Sequence, residues 1–458
     1  MKIQISEKLS AVARKFPTPL YLVGGFVRNS LLGVTVSDQD VASACSAERA
    51  AALFAEQGWT VTAVYPRMGT VKLRAPETGE EVEYTQFRTE RYAPGGGHTP
   101  QDVLFTREIG EDARRRDFSV NAIYCDAATG EFLDPCGGLV DLEKREIRTA
   151  DLPERVFGSD GLRLLRLVRF CAELGFTPEP DTFAAARACR DNLDDIAEER
   201  IADEFRKICF ADLKYPVLTE ESRMPAHAAG LRMLDELGLL EKILPEITAG
   251  KGIAQRADYH RYDVFGHTME TFRLSSPEVR IAALLHDVGK PICYRETGRF
   301  YGHEEVGAEP AYRIAMRAFG CSKREASEIS SLVRLHMYDL AGVTRENKLK
   351  KFLAEHSALV PKLLLLKQAD YLGGGLLEGE CPTVTRWKAL LRRMDELGTP
   401  RSLADLKIDG RDVLAVLPEL PKNRISAVLR ALFEECVCNE SLNDREKLLA
   451  RLEKFGRE

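Results

Sequence analysis

The pattern of apolar and polar residues changes character near residue 150. From about residue 20 to residue 148, short apolar runs of strand length alternate with turn-forming residues, which predicts a region of mixed strands and helices. From residue 160 onward, beginning with the stretch DGLRLLRLVRFCAELGF, apolar residues recur at helical spacing and strand patterns nearly vanish. We therefore predict an α+β protein, in which a small mixed sheet with helices is followed by an all-helical remainder.

Breaks within the helical part indicate further divisions. Prolines and a Gly-Lys-Gly turn interrupt the helical pattern between residues 216 and 255, and three consecutive glycines follow at Gly373–Gly375. We predict four segments from these breaks, at residues 1–150, 151–215, 216–375 and 376–458.

Residues 21–45 carry the clearest candidate chemistry of the first segment. An apolar run ends at Gly24 and Gly25, a short helical pattern follows, and Asp38 and Asp40 then lie two apart in a stretch of strand character. Carboxylates at i and i+2 of a strand project from one face, about 7 Å apart, where they can hold divalent cations. The glycines leave room for phosphates before a helix N-terminus, and Arg28 lies one turn into that helix. The stretch therefore predicts a phosphate cradle beside a metal site.

Each of these features has a more ordinary explanation when it is taken alone. A lone Gly-Gly is usually a turn, and a lone Asp-x-Asp is usually part of a solvated loop. Their occurrence in this order, with Arg28 between them, favours the catalytic interpretation.

Three further stretches of the first segment extend this site. Glu83, in the alternating sequence EVEY, is the predicted third carboxylate facing the aspartate pair. Three arginines at 114–116 adjoin Asp117 and Asn121; such a run is usually a solvated surface, but these neighbours can contact a sugar or a phosphate. Gly95–Gly97, bounded by two prolines, predict a mobile loop.

The composition limits the compartment and the mode of any nucleic-acid contact. The formal net charge is −6, so such contact must come from local patches rather than from a generally basic surface. The eleven cysteines are scattered without a CxxC pair, which favours reduced thiols over a disulfide framework or a zinc site. The N-terminus lacks the apolar core of a signal peptide and no run reaches transmembrane length, so we expect a cytoplasmic protein without a membrane partner.

Seven motifs in a fixed order resemble those of a known family. They are GGFVRNSLLG, DQD, EYTQFR, RRDFSVNA, DPCGGLVDL, the helix DGLRLLRLVRFCAELGF, and ERIADEF. Together they resemble the class II tRNA nucleotidyltransferase and bacterial poly(A) polymerase family of the polymerase β superfamily. The resemblance implies a polymerase β-like nucleotidyltransferase head at 1–150 and a neck with nucleobase-recognition helices at 151–215. It also implies a helical body at 216–375 and a tRNA-binding tail at 376–458.

The resemblance also implies roles for individual residues. Asp38 and Asp40 would bind two catalytic Mg²⁺ ions beside Glu83, and the substrates would be tRNA, ATP and CTP. The residues implied to bind the nucleotide are Gly24, Gly25, Arg28, Arg115, Arg116, Asp117, Asn121, Asp160, Arg163 and Arg166. Asp160 and Arg163, three apart and expected on one helix face, would read the edge of the base.

Two positions depart from the family pattern. Asn29 stands where the family usually has aspartate after the first arginine of the glycine motif. Ser159 stands where a glutamate usually steadies the base-reading pair. An amide still donates and accepts hydrogen bonds, so a structural role at residue 29 can survive.

A second cluster of metal-ligand residues is predicted in the helical part, in a domain at about 255–345. The sequence LLHDVGK places His286 and Asp287 on an apolar helix, where unpaired polar groups are costly. Lone histidines are usually satisfied core or surface groups, but this doublet resembles the motif of HD phosphohydrolases. That resemblance implies His267, His286, Asp287 and Asp370 as ligands of a divalent ion of unknown identity, with His303 and His336 adding ligands for a second ion.

The sequence favours a CCA-adding tRNA nucleotidyltransferase with an HD domain that is a second phosphohydrolase site. A poly(A) polymerase shares every head motif, but the chain ends without the long basic extension that such enzymes often carry. A partial, CC- or A-adding, enzyme of the same family is another alternative. A protein of a different class would use the HD domain as its main activity and the head only to bind tRNA. The oligomeric state stays open.

Overall fold

All strands that the structure describes lie within the first 178 residues. The computed structural model describes residues 3–34, 39–76, 79–91 and 101–455, and the chain divides into two units. Unit 1 comprises Met1–Pro245 with Arg317–Gly320, and unit 2 comprises Glu246–Met316 with Cys321–Glu458. The predicted α+β fold is confirmed, because unit 1 combines strands with helices and the described part of unit 2 is helical. The finer division at residues 150, 215 and 375 stays a prediction.

Unit 1 contains one mixed sheet and two small strand pairs. The strands, in chain order, are β1 (Tyr21–Val23), β2 (Gln39–Ser43), β3 (Thr60–Tyr65), β4 (Thr70–Arg74), β5 (Glu81–Gln86), β6 (Arg88–Arg91), β7 (Asp102–Phe105), β8 (Tyr124–Asp126), β9 (Phe132–Leu133), β10 (Glu146–Ile147) and β11 (Thr177–Pro178). The main sheet has the order β3-β4-β5-β2-β1-β8-β9, in which β2 and β5 are parallel and the other neighbours are antiparallel.

Helices cover the sheet and continue beyond it. The helices of unit 1 are α1 (Glu7–Ala13), α2 (Gly25–Leu31), α3 (Ala47–Glu56), α4 (Ile109–Arg114), α5 (Gly138–Lys144), α6 (Pro153–Ser159), α7 (Leu162–Leu174), α8 (Pro180–Ala188), α9 (Glu198–Cys209), α10 (Pro216–Thr219), α11 (Ala226–Glu236) and α12 (Leu240–Ile243). Helix α3 packs on β3, β4 and β5, and α7 packs against α9 and α11.

An apolar core packs on one face of the sheet but does not include Asp40. Val23, Ala42 and Tyr124 lie side by side on this face and are buried together with Ala113 at the end of α4. Asp40 shares the face, two residues before Ala42, but it is exposed. The apolar residues of β1, β2 and β8 therefore pack in this core, whereas Asp40 on β2 reaches solvent.

Unit 2 is a helical bundle. Its elements are α13 (Pro245–Thr248) at the boundary, α14 (Val264–Leu274), α15 (Arg280–Leu285), α16 (Lys290–Thr297), α17 (His303–Phe319), α18 (Lys323–Leu335), α19 (Glu346–Glu355), α20 (Val360–Gly373), α21 (Pro382–Glu396), α22 (Gly410–Val416), α23 (Ile425–Cys438) and α24 (Arg445–Phe455). Helices α14, α15, α18 and α20 pack on one another. Among the described residues, no helix has the length and apolar content needed to cross a membrane.

Candidate functional sites

The carboxylates of the first segment lie on adjacent strands. Asp40 on β2 pairs in register with Glu83 on β5. Directly paired residues project from the same face of a sheet, on strands about 4.8 Å apart. Both side chains belong to exposed residues, so both can reach a ligand from solvent. Asp38 lies outside the described residues, and its place beside Asp40 stays a prediction.

Gly24 lies between a carboxylate and a guanidinium. Its φ of +79° is in the region that side chains disfavour, and it precedes the first residue of α2. A Cβ at Gly24 would lie 3.2 Å from Oδ2 of Asp40 and 3.9 Å from Nη1 of Arg116. A Cβ at Gly25 would lie 3.7 Å from Nη2 of Arg28. The two glycines therefore keep an open space in front of a carboxylate and two arginines.

A hydrogen-bond chain joins Arg28 to helix α7. Nη1 of Arg28 donates to Oδ1 of Asn121 at 2.6 Å, and Nδ2 of Asn121 donates to Oδ1 of Asp117 at 3.0 Å. Oδ2 of Asp117 accepts from Nε of Arg166 at 2.8 Å. Burial alone would raise the pKa of Asp117, but Arg166 and Asn121 lower it below its usual range. Four residues predicted from three motifs thus form one network.

Asp112 holds the arginine run and was not predicted from the sequence. Its fully buried carboxylate accepts from Nε of Arg115 at 2.8 Å, from Nη2 of Arg116 at 3.2 Å and from the Tyr124 hydroxyl at 2.6 Å. Arg115 and Arg116 are therefore held in fixed orientations by Asp112, whereas the arginines of a charge run are usually freely solvated. The signal was present in the spacing, because Asp112 lies three and four residues before the two arginines.

The prediction that Asp160 and Arg163 share one helix face is wrong. Asp160 has an extended backbone after the end of α6, whereas Arg163 is the second residue of α7. Oδ1 of Asp160 accepts from the backbone N–H of Leu162, the first residue of α7, at 3.0 Å, a local bond that favours a turn over a helix at residue 160. Both residues are buried at the same junction, and burial raises the pKa of Asp160.

The two departures from the family pattern both make hydrogen bonds. Oγ of Ser159 accepts from Nη1 of Arg163 at 3.1 Å, and Nη2 of Arg163 donates to the carbonyl of Arg115 at 2.7 Å. Oδ1 of Asn29 accepts from Nε of Arg28 at 2.9 Å, and its amide donates to the hydroxyl of Tyr215 at 2.8 Å. The structural role expected for a neutral amide at residue 29 is therefore present.

The predicted mobile loop connects a strand pair. Strands β6 and β7 pair antiparallel from Arg88 and Phe105 to Arg91 and Asp102. Gly95–Gly97 lie in residues 92–100, which are outside the described residues.

Unit 2 brings all six predicted metal ligands into two adjoining groups. His267, His286 and Asp370 form one group, and Asp287, His303 and His336 form the other. Within each group the candidate ligand atoms lie within 4.8 Å of one another. The doublet His286-Asp287 lies in the turn after α15 rather than within the helix, so that one side chain serves each group.

Asp287 faces both groups. Its Oδ2 lies 3.2 Å from Nε2 of His286 and 3.4 Å from Nε2 of His267. Its Oδ1 lies 3.1 Å from Nε2 of His303 and 3.9 Å from Nε2 of His336. Asp370 closes the first group, with Oδ1 at 3.0 Å from Nε2 of His267. This is the arrangement of a carboxylate that can bridge two ions.

Backbone carbonyls fix the tautomers of three of these histidines. Nδ1 of His286, His303 and His336 lies 2.8, 2.9 and 2.6 Å from the carbonyl oxygen three residues earlier in each case. A carbonyl only accepts, so Nδ1 carries the proton and the Nε2 lone pairs of neutral rings point into the cluster. Nε2 of His303 and His336 are 3.4 Å apart, and those of His267 and His286 are 3.1 Å apart. Ring nitrogens at these separations leave room for a divalent cation to be bound by both of them.

The electrostatics of the cluster also fit cations. The pKa values of Asp287 and Asp370 lie well below their usual range; burial opposes this, but neighbouring imidazoles lower them. Burial would lower the pKa of His286, yet these two carboxylates raise it to about 10. Burial and the nearby His286 lower the pKa of His336 to about 3. The carboxylates and His336 therefore have the protonation states of ligands for divalent transition metals, whereas an ion at His286 would have to displace the proton from Nε2.

Three lysine and glycine positions support this cluster. Nζ of Lys290 lies 2.7 Å from Oδ2 of Asp287, and Nζ of Lys367 donates to the carbonyl of His336 at 2.7 Å. A Cβ at Gly289 would lie 2.0 Å from the carbonyl oxygen of His303, so only glycine permits this close approach. The two lysines were not predicted, although each lies three residues from a predicted ligand in the sequence.

Comparison with family profiles identifies three regions of the chain. Residues 20–148 match the profile described as "Poly A polymerase head domain", and residues 175–213 match "Probable RNA and SrmB-binding site of polymerase A". Residues 252–373 match the HD domain. The first region contains Asp40, Glu83 and the glycine and arginine residues of the first site up to Asn121, and the third contains all six residues of the second site.

Known proteins resemble the chain over nearly its whole length. An A-adding tRNA nucleotidyltransferase of Deinococcus radiodurans is 31% identical, over 92% of this chain and 92% of that protein. A Multifunctional CCA protein of Xanthomonas oryzae pv. oryzae is 32% identical, over 90% of this chain and 98% of that protein. The crystal structure of the Bacillus stearothermophilus CCA-adding enzyme in complex with CTP superposes with a TM-score of 0.66 at 25% identity, covering 98% of this chain and 96% of that one.

Proposed function

This chain belongs to the tRNA nucleotidyltransferase family with a poly(A) polymerase head domain, and we propose that it adds CCA to the 3′ end of tRNA from CTP and ATP. The reaction joins the 3′-oxygen of the tRNA to the α-phosphorus of the nucleotide and releases pyrophosphate. The observation that carries this proposal is the meeting at Gly24 of the exposed carboxylate of Asp40 with Arg116. A triphosphate placed there would have a cation-binding carboxylate on one side and guanidiniums on the other.

The carboxylates of this site suit Mg²⁺, which prefers oxygen ligands. Asp38, Asp40 and Glu83 would hold the ions. The chemistry that two Mg²⁺ ions supply when bound is activation of the attacking hydroxyl and stabilisation of the leaving pyrophosphate. Arg28 binds the phosphates, and the Asp117–Arg166 pair positions the sugar. Asp160 and Arg163, at the junction of α6 and α7, read the base.

The experiment that tests this function supplies three tRNA substrates with each nucleoside triphosphate singly. The substrates lack CCA, end in C, or end in CC. A CCA-adding enzyme extends the first two with CTP and the third with ATP. An A-adding enzyme, the activity in the name of the Deinococcus radiodurans relative, extends only the third. Runs of A on all three substrates would identify a poly(A) polymerase, and no addition to any of them would overturn the proposal.

Ser159→Glu is expected to sharpen the selection of CTP and ATP over UTP and GTP. The serine hydroxyl now accepts a hydrogen bond from Arg163. A carboxylate would make a charge-assisted bond about twice as strong, a gain of about 1 kcal/mol or roughly fivefold in selectivity. Misincorporation of UTP and GTP relative to CTP measures it. Ser159→Gln, which adds length without charge, is the matched control; equal selectivity in all three proteins would contradict the role of Arg163.

Shortening the segment around Gly95–Gly97 is expected to leave products that end in CC. The final A must fit the pocket that has just accepted C, and three glycines between β6 and β7 permit a change of shape. Sequencing-gel analysis of products from a tRNA lacking CCA measures the outcome. Equal loss of all three additions would indicate misfolding rather than a role in switching.

The HD domain supplies a second proposed activity, metal-dependent hydrolysis of phosphoesters. Asp287 facing both ligand groups supports two adjacent ions there. Hydrolysis of nucleoside 2′,3′-cyclic phosphates with Mg²⁺, Mn²⁺, Ni²⁺ or Fe²⁺ tests it. Absence of hydrolysis with every one of these ions would overturn this second activity without affecting the first.

A further inference from the structure

Three guanidinium groups surround one buried aromatic ring in unit 1. The guanidinium carbons of Arg28, Arg166 and Arg169 lie 4.8, 5.2 and 4.4 Å from the ring centroid of Phe170. The ring is 5% exposed, so these contacts are largely desolvated. A cation within about 6 Å of a ring centroid is attracted by the ring quadrupole, and desolvation strengthens the attraction.

The three arginines differ in how their charges are compensated. Arg169 lies 2.7 Å from a carboxylate oxygen of Glu204, and Arg166 is paired with Asp117. Arg28 donates instead to the neutral amide oxygens of Asn29 and Asn121. Within the part of the chain that the structure describes, no carboxylate oxygen forms an ion pair with Arg28.

A buried cation whose hydrogen-bond acceptors are neutral amides is suited to an anionic ligand. Burial lowers the pKa of Arg28 from its ordinary value, although the nearby carboxylates of Glu173 and Asp117 oppose this shift. A carboxylate in place of the ring would hold Arg28 equally well but would cancel the charge that the phosphates need. An aromatic face orients the guanidinium without neutralising it.

We propose that Phe170 is a positioning residue for nucleotide binding. Its ring holds Arg28 and Arg166 by cation–π attraction, so that the group that binds the triphosphate and the group that positions the sugar keep fixed places relative to each other. This inference rests on the proposed nucleotidyltransferase function. Arg28 lies on α2 of the head, and Phe170 and Arg166 lie on α7 of the neck. The ring is therefore the common contact of a phosphate-binding and a sugar-positioning group.

The test replaces Phe170 by phenylalanines with one, two and three ring fluorines. Fluorination weakens the quadrupole stepwise and changes the ring volume little. We expect the KM for CTP and for ATP to rise with each fluorine, by about tenfold in total, because each fluorine weakens a cation–π contact that desolvation strengthens. The KM for tRNA stays unchanged, and kcat changes less than the KM for nucleotide.

The matched control applies the same series to Phe118. This fully buried ring packs edge-on against Phe170, with centroids 5.8 Å apart, and no guanidinium lies over it among the described residues. Calorimetric dissociation constants for CTP, measured on the same proteins, give a readout that does not need turnover. A flat series at Phe170, or an equal rise at Phe118, would overturn the inference. Absence of nucleotide addition by the wild type would instead overturn the proposed function.

Discussion

Replacing Asp40 by asparagine is expected to reduce nucleotide addition at least about a thousandfold, because bound metal ions supply several kcal/mol of transition-state stabilisation and 1.36 kcal/mol corresponds to tenfold in rate. Asp40 is exposed at the end of β2, beyond the apolar core of that face. Its loss should therefore remove a ligand without removing packing. Single-turnover incorporation of CMP into a tRNA lacking CCA measures the effect.

The control for this variant is that its fold, its stability and its affinity for tRNA are unchanged. Circular dichroism, thermal unfolding and the dissociation constant for tRNA should match those of the wild type. Glu81→Gln is the matched substitution, since Glu81 is an exposed carboxylate on the same strand as Glu83 and pairs with Arg74 across the strands. Incorporation by the Asp40 variant within tenfold of the wild-type rate would contradict the two-metal assignment, and Asp38→Asn is expected to behave in the same way.

The sequence predicted secondary structure more completely than it predicted the side-chain contacts of the candidate site. Local patterns predicted the strands and the helix α7, because alternation and helical spacing are encoded by neighbouring residues. The pairing of β2 with β5 could be predicted in part. The strand pattern around Glu83 predicted a third carboxylate facing the aspartate pair, and β5 does align this residue with Asp40. The partners of Arg28 were not accessible, because Asn121 and Phe170 are distant in the sequence and only the folded chain brings them close.

The errors arose where a side chain competes with regular structure. Spacing alone placed Asp160 on a helix with Arg163, but its carboxylate accepts from the backbone N–H of Leu162 and its backbone is extended, so it precedes the helix. The same limit applies to His286 and Asp287, which end a helix rather than lie within it. Periodicity predicts where helices exist better than where they stop, since the last residues are decided by such specific hydrogen bonds.

The metal cluster illustrates a different limit. Histidine and aspartate motifs predicted six ligands, and all six converge. The motif did not reveal that the two oxygens of Asp287 face different groups, because this depends on the turn after α15 and on the close approach allowed by Gly289. The residues that converge were thus predictable from the sequence, whereas the position of Asp287 between the two groups required the structure.

Replacing Asp287 by asparagine is expected to remove metal from both groups, whereas replacing His336 by glutamine should weaken only one. The first variant loses the carboxylate that faces both groups, and the second loses one imidazole of the second group. Disturbing outer contacts of a metal site costs about 10–100-fold in affinity, so losing a direct ligand should cost more. Metal content per chain, measured by mass spectrometry after dialysis, should fall to near zero for the Asp287 variant and to about half the wild-type value for the His336 variant.

Hydrolysis of cyclic phosphates should be lost in both variants, while CCA addition is retained, because the ligands lie in unit 2 and the nucleotide site lies in unit 1. His356→Gln, outside the cluster, is the matched control. Equal metal loss in the His336 and Asp287 variants would show that the two groups do not bind separately, and loss of CCA addition would show that the cluster stabilises the whole chain.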